Sequence, residues 1–154
     1  MKLLLERPSE EYSNLILSTI DQYEIISSRG LIADYSKKSV TNLILSKSLY
    51  PFIFKQKNKK SNYKPDLILC IYNIDWENRN CQMIGRILSD YFDDREDLNQ
   101  YIKLLLNFCK NEIRMHKVWG LLKKDNIYYN AVNNHFHKKN ISNEFEINYF
   151  ERIL

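Results

Sequence analysis

Four carboxylates crowd one short stretch of this 154-residue chain: Asp93, Asp94, Glu96 and Asp97. They sit in S-D-Y-F-D-D-R-E-D-L-N-Q-Y-I-K (Ser89–Lys103), with Arg95 among them and not one glycine. The stretch lies where an apolar strand hands over to a long amphipathic helix. At such a junction the free helix amides and the positive end of the helix dipole favour an anion, and glycines let a phosphate approach the backbone. Acids do the reverse. Two like unit charges about 4 Å apart repel by on the order of 4 kcal/mol at an effective dielectric near 20. Several together offset most of the roughly 8 kcal/mol of a micromolar complex. The same acids suit a helix start: Asp94 with Asp97 forms an acidic capping arrangement, and first-turn carboxylates complement the dipole. Two readings follow, a helix entrance optimised for stability and a remodelled site for another ligand.

Other groups able to do chemistry are scattered. Lys55, Lys57, Lys59, Lys60 and Lys64 carry much of the net charge of +4, spaced by polar residues and Tyr63. Such a run reads first as a solvated hairpin loop and second as an anion or nucleic-acid contact, for which no nucleic-acid motif speaks. Cys70, Cys81 and Cys109 are odd in number and lie in apolar runs, so they read as buried thiols. His135 and His137, two apart, point to different sides of a predicted helix, and His116 lies at a helix–strand corner, so no metal site is expected.

The elements that position these groups follow from periodicity. The length suits one domain, 1–154, able to bury a core, and 44% hydrophobic with 27% charged residues excludes a disordered chain. No apolar run approaches the roughly 18–20 residues of a membrane span, and M-K-L-L-L-E-R meets acid too early for a signal peptide, so a cytoplasmic protein is expected. Lys2–Glu6 reads as a short strand, Glu10–Ile20 as a helix with Ser9 as N-cap, and Ser36–Ser46 as a second helix with Val40, Leu43 and Ile44 on one face. Leu49–Lys55 is strand-like. Leu67–Asp75 is an almost continuous apolar run typical of a central strand, joined by the turn Glu77–Asn80 to an antiparallel partner, Cys81–Ser89.

From Asp97 to Met115 the period becomes helical. Leu98, Ile102, Leu105, Cys109 and Ile113 share one face; Lys103, Asn107, Lys110 and Arg114 share the opposite one. Lys117–Lys123 returns to strand character. Asp125 reads as the N-cap of a helix to Lys138. In Glu144–Leu154, Phe145, Ile147 and Tyr149 alternate with Glu144, Glu146 and Asn148, a half-exposed strand.

The ordered set resembles the GNAT family of N-acetyltransferases. Y-N-I-D-W-E-N-R-N-C-Q-M-I-G-R-I-L (Tyr72–Leu88) is similar to the family's third and fourth strands, including the glycine at Gly85. K-L-L-L-N-F-C-K-N-E-I-R-M-H-K-V-W-G-L-L-K-K-D-N (Lys103–Asn126) resembles its central helix, fifth strand and following Asn. The likeness covers roughly Leu67 to Lys138 and implies an α/β (α+β) fold: a mixed, mostly antiparallel sheet flanked by helices.

The resemblance also implies an acetyl-CoA site, and there the chain departs from the pattern. The family's loop, Gln/Arg-x-x-Gly-x-Gly/Ala, falls with its first position on Asp93, its first glycine on Glu96 and its last small residue on Leu98. No glycine lies between Gly85 and Gly120, so a shifted alignment does not restore it. The glutamate the family often carries two residues before the strand glycine is Met83. The tyrosine near the departing thiolate is about Asn133, with Tyr128 and Tyr129 one turn earlier as candidate replacements, and the Gly-Phe pair expected near His137–Lys138 is absent. The implied donor channel would be lined by Ile84–Ser89 (Ile87, Leu88 and Ser89 among them) and Val118–Leu122, with Asn126 beyond. An acyl transferase with an altered donor site is one expectation, taking its acyl group from a carrier protein that meets Arg95 or the lysine loop. A non-catalytic module that binds a protein partner or dimerises is the other. No cofactor is expected, with acetyl-CoA or acyl-CoA bound only if the altered loop still accepts it, and neither membrane nor nucleic acid is an expected partner.

Overall fold

The computed structural model describes residues 13–20, 42–54, 66–88, 95–123, 129–142 and 147–154. Within these lie helices α1 (13–20) and α2 (42–45), strands β1 (Tyr50–Phe54), β2 (Leu67–Asp75) and β3 (Asn80–Ile87), helix α3 (Arg95–Asn111), strand β4 (Lys117–Lys123), helix α4 (Tyr129–His135), and strands β5 (His137–Ser142) and β6 (Ile147–Ile153). The strands form one six-stranded sheet in the order β1-β2-β3-β4-β6-β5, mixed and mostly antiparallel. The expected strand Lys2–Glu6, the caps Ser9 and Asp125, and the lysine loop fall outside the described residues.

The chain divides into two compact units, Met1–Tyr72 with Ile84–Phe92 and Asn73–Met83 with Asp93–Leu154. In the first, β2 is buried on both faces, as its continuous apolar run predicts: Leu67, Ile68, Leu69, Cys70 and Ile71 are all nearly inaccessible. Ile68, Cys70 and Tyr72 point to one side, where with Ile84 they pack on Ile16 and Ile20 of α1, Leu49 and Ile53. Burial pushes the Cys70 thiol up to about 12, so it stays a protonated packing residue. Gly85 is required by the neighbouring strand: a Cβ there would meet Leu69 Cδ2 at 2.5 Å and the Ile68 carbonyl at 3.3 Å.

Helix α2 ends in a Schellman motif. Ser48 N–H reaches Leu43 O (2.8 Å), Lys47 N–H reaches Ile44 O (3.1 Å), and Lys47 takes the left-handed φ of 58° that glycine adopts more easily.

In the second unit the expected stripe of α3 is the observed one. Leu98, Ile102, Leu105, Cys109 and Ile113 are buried, while Lys103, Asn107, Lys110 and Arg114 are exposed. The helix ends at Asn111, before the expected Met115. Ile113 N–H bonds back to Phe108 O (3.3 Å) and Met115 N–H to Cys109 O (2.8 Å), and Arg114 turns left-handed at φ 55°, so the regular ladder stops while Ile113 and Met115 still fold inward.

Two expectations near the C-terminus are corrected. The helix predicted to Lys138 stops at His135, and His137–Ser142 is strand β5, paired antiparallel with β6. His137 and Lys138 are therefore strand residues, and the two histidines do not share a helix. H-K-K-N-I-S lacks apolar alternation because β5 lies at the sheet edge, where lysines discourage further pairing. In β6 Asn148 is buried, where the alternation put it on the exposed face, and Phe150 is fully buried; Tyr149 is half-buried on the other face, stacked on Trp119 with centroids 6.0 Å apart. Tyr149 pairs with Leu121 across the β4–β6 ladder, so Trp119 is its diagonal neighbour, a reach that aromatic rings span.

Replacing Gly85 with Ala should lower unfolding free energy by about 1–3 kcal/mol through overpacking against the buried Leu69. Lys47→Gly should raise it by about 0.5–1 kcal/mol by removing left-handed strain. Urea denaturation of both variants checks the two signs together.

Candidate functional site

In the second unit the candidate elements meet along the start of β3, β4 and α3. Strands β3 and β4 run parallel over three residue pairs, Asn80↔Lys117, Cys81↔Val118 and Gln82↔Trp119. The Arg79 carbonyl accepts both the His116 N–H (2.7 Å) and the Lys117 N–H (3.2 Å), closing the corner where the chain enters β4. Trp119 Nε1–H donates to Asn80 Oδ1 at 3.3 Å. A Cβ on Gly120 would lie 3.2 Å from the Met83 carbonyl, so the absence of a side chain permits that close strand approach. Gln82 is 2% exposed and its Nε2 has no hydrogen-bond partner, an arrangement that costs roughly 1–3 kcal/mol.

On the α3 face of this ladder Cys81 Sγ–H points at Cys109 Sγ, 3.9 Å away. That contact and burial push the Cys109 thiol well above its ordinary range, and neither cysteine is exposed. These are packing thiols, as the apolar runs around them imply.

The helix entrance is placed in part. Arg95 is the first residue of α3, with Glu96 and Asp97 in its first turn; Asp93, Ser89, Asn126 and Tyr128 lie outside the described residues. Leu98 is 4% exposed and belongs to the apolar stripe of α3. Its neighbour Asn99 accepts a hydrogen bond from His135 Nε2–H at 3.2 Å, which ties the first turns of α3 to the end of α4. Tyr129 opens α4, Asn133 is exposed on it, and Met83 is half-buried on β3. In the first unit, Ile87 and Leu88 are half-buried; Leu88 packs against the Ile16–Ile20 cluster and its N–H bonds Asp66 O at 2.9 Å. Among the described residues no three His, Cys, Asp or Glu side chains gather as metal ligands.

Spacing alone did not reveal three of these contacts: His135 with Asn99, Trp119 with Asn80, and Cys81 with Cys109. Each joins residues 28 to 39 positions apart. The one available signal was that both cysteines sit on the apolar face of their own element.

Partial burial, then Arg152 and Lys103, hold the His135 imidazole below its usual range. A depressed folded value means the unfolded chain binds more protons below the ordinary 6.5, so stability rises with pH through that window. Thermal melts should therefore show Tm falling as pH drops from about 6.5, and His135→Gln should flatten that slope. An unchanged slope in the variant would assign the dependence elsewhere.

No protein-family model and no curated protein sequence matches the chain. Solved structures do. A spermidine N-acetyltransferase from Vibrio cholerae in complex with CoA and spermine superposes with a TM-score of 0.67 at 11% identity, over 98% of this chain and 95% of that one. A dodecameric form of the Vibrio cholerae enzyme gives 0.67 at 10% identity over 98% and 93%. A putative ribosomal-protein-serine acetyltransferase from the same organism gives 0.61 at 10% over 99% and 98%. Among the described residues no helix is long and apolar enough to cross a membrane. Near-complete coverage in both directions, with the mixed sheet and the α3 crossover, establishes that this chain has the fold of the GNAT N-acetyltransferases.

Proposed function

We propose that this protein is an acyltransferase of GNAT type whose donor is not gripped as free acetyl-CoA at the start of α3. Support for acyl transfer comes from the end-to-end likeness to N-acetyltransferases, one of them solved with CoA and spermine. Support for an altered donor comes from Leu98. Its side chain is buried in the α3 stripe at the position where the family pattern has its last small residue. Glu96 and Asp93 occupy the other two positions and bring negative charge to where a pyrophosphate would lie. The residues present do not fit that group, so no step is routed through it. An acyl group carried on an acidic carrier protein avoids the difficulty, because the carrier's own surface supplies binding energy away from this turn.

The absence of the family's glutamate at Met83 and of its tyrosine at Asn133 favours a second reading, a non-catalytic GNAT-fold module that binds a protein partner or dimerises. One similar protein is dodecameric, which supports self-association here.

Calorimetric titration with acetyl-CoA at low millimolar concentration separates these readings from ordinary CoA use. The expected result is no saturable heat, and saturable binding with a shift of several degrees in Tm would sink the altered-donor proposal. Acylated carrier protein in the same assay should bind under the first reading and not under the second. The Asp93→Gln, Glu96→Gly, Leu98→Gly triple variant should gain CoA binding, because it restores the pattern residues while removing two carboxylates.

A further inference from the structure

The two cysteines of the second unit touch each other. Cys81 is the second residue of β3, Cys109 lies in the last turn of α3, and their sulfurs are 3.9 Å apart. Both are free and fully buried, so in the resting protein they serve packing. Each nevertheless sits close to an exposed end of its element. The turn before β3 is exposed at Trp76, Glu77, Asn78 and Arg79, and Cys109 is followed by exposed Lys110, Asn111 and Glu112. Element ends open locally at the lowest free energy, so a small oxidant reaches the pair without global unfolding.

A disulfide holds its sulfurs about 2.05 Å apart, so each side chain has to move by only roughly 1 Å. The step balances with hydrogen peroxide as oxidant. One sulfur attacks a peroxide oxygen, giving a sulfenic acid and releasing one water; the other sulfur then displaces the hydroxyl, which leaves as a second water. Two S–H bonds are lost, one S–S bond forms, and the peroxide O–O bond takes up the two electrons. The contact with Cys81, together with burial, pushes the Cys109 thiol well above its ordinary range, which makes the reduced pair slow to react and reserves conversion for sustained oxidant.

We propose that Cys81 and Cys109 form a redox switch: hydrogen peroxide converts their contact into a disulfide that clamps the end of α3 to the start of β3, and a dithiol reverses it. The clamp acts where the crossover leaves α3. There the Glu112 and Ile113 N–H groups bond to Phe108 O and the Met115 N–H to Cys109 O, the contacts that turn the chain toward β4. A crosslink at Cys109 suppresses local opening of that turn. The covalent loop runs through residues 82–108 and so includes the helix entrance from Asp93 to Leu98. Cys70, buried in β2 of the first unit, stays a thiol.

The test treats the folded full chain with hydrogen peroxide, blocks the remaining thiols under denaturing conditions and counts them by mass spectrometry. The count should fall from three to one, with a peptide joining Cys81 to Cys109, and dithiothreitol should restore it. The oxidised protein should melt about 5–10 °C higher. Amide exchange at Glu112, Ile113 and Met115 should slow at least several-fold, and Cys109→Ala should show none of these changes. A bridge that includes Cys70 or joins two chains, sulfinic acid without a bridge, or a bridge that leaves melting and exchange unchanged would each overturn the switch. The mass and exchange measurements on the unsubstituted chain decide the matter even where Cys109→Ala does not fold. None of them reads acyl transfer, so this proposal and the donor proposal fail independently.

Discussion

The three-residue parallel ladder between β3 and β4 is the constraint on which the second unit depends. Parallel neighbours cannot be joined by a tight turn; they need a crossover, and here α3 supplies it. Everything about α3 then follows from having to lie against those two strands. Its stripe from Leu98 to Ile113 faces inward, Cys109 meets Cys81, and its end is wound left-handed at Arg114 so that the next residues enter β4 beside Arg79. The double acceptance by the Arg79 carbonyl and the indole bond from Trp119 to Asn80 hold the short ladder at both edges. On the far side of β4, a longer antiparallel ladder with β6 brings Tyr149 over Trp119.

The crossover needs an apolar stripe and a well-started helix; it does not need glycines. Leu98 begins that stripe as a buried residue at the N-terminal end of α3. Carboxylates in a first helical turn complement the dipole and repel an anion held there, so helix stability and anion binding compete for the same turn. The altered-donor proposal puts this chain on the stability side of that competition.

The parts of the fold that were legible in the chain are those where a single element's own periodicity decides the outcome. The buried and exposed faces of α3 could be assigned residue by residue, because burial against a sheet requires a 3.6-residue period. The apolar run Leu67–Ile71 marked a central strand for the same reason. At the candidate site, by contrast, only the departure of Asp93, Glu96 and Leu98 from the pattern that the resemblance implies could be read.

By itself, then, the sequence determined the element types in the described core, the inward face of α3 and the absence of glycine at its entrance, since each is written in local composition and spacing. The tertiary structure alone decided that His137–Ser142 is an edge strand, that β6 buries Asn148 and Phe150, and that Cys81 meets Cys109. An edge strand is held by backbone hydrogen bonds, which carry no side-chain signal, and the inward face of β6 is set by its register with β4. Contacts between residues far apart in the chain exist only once the elements have been packed together.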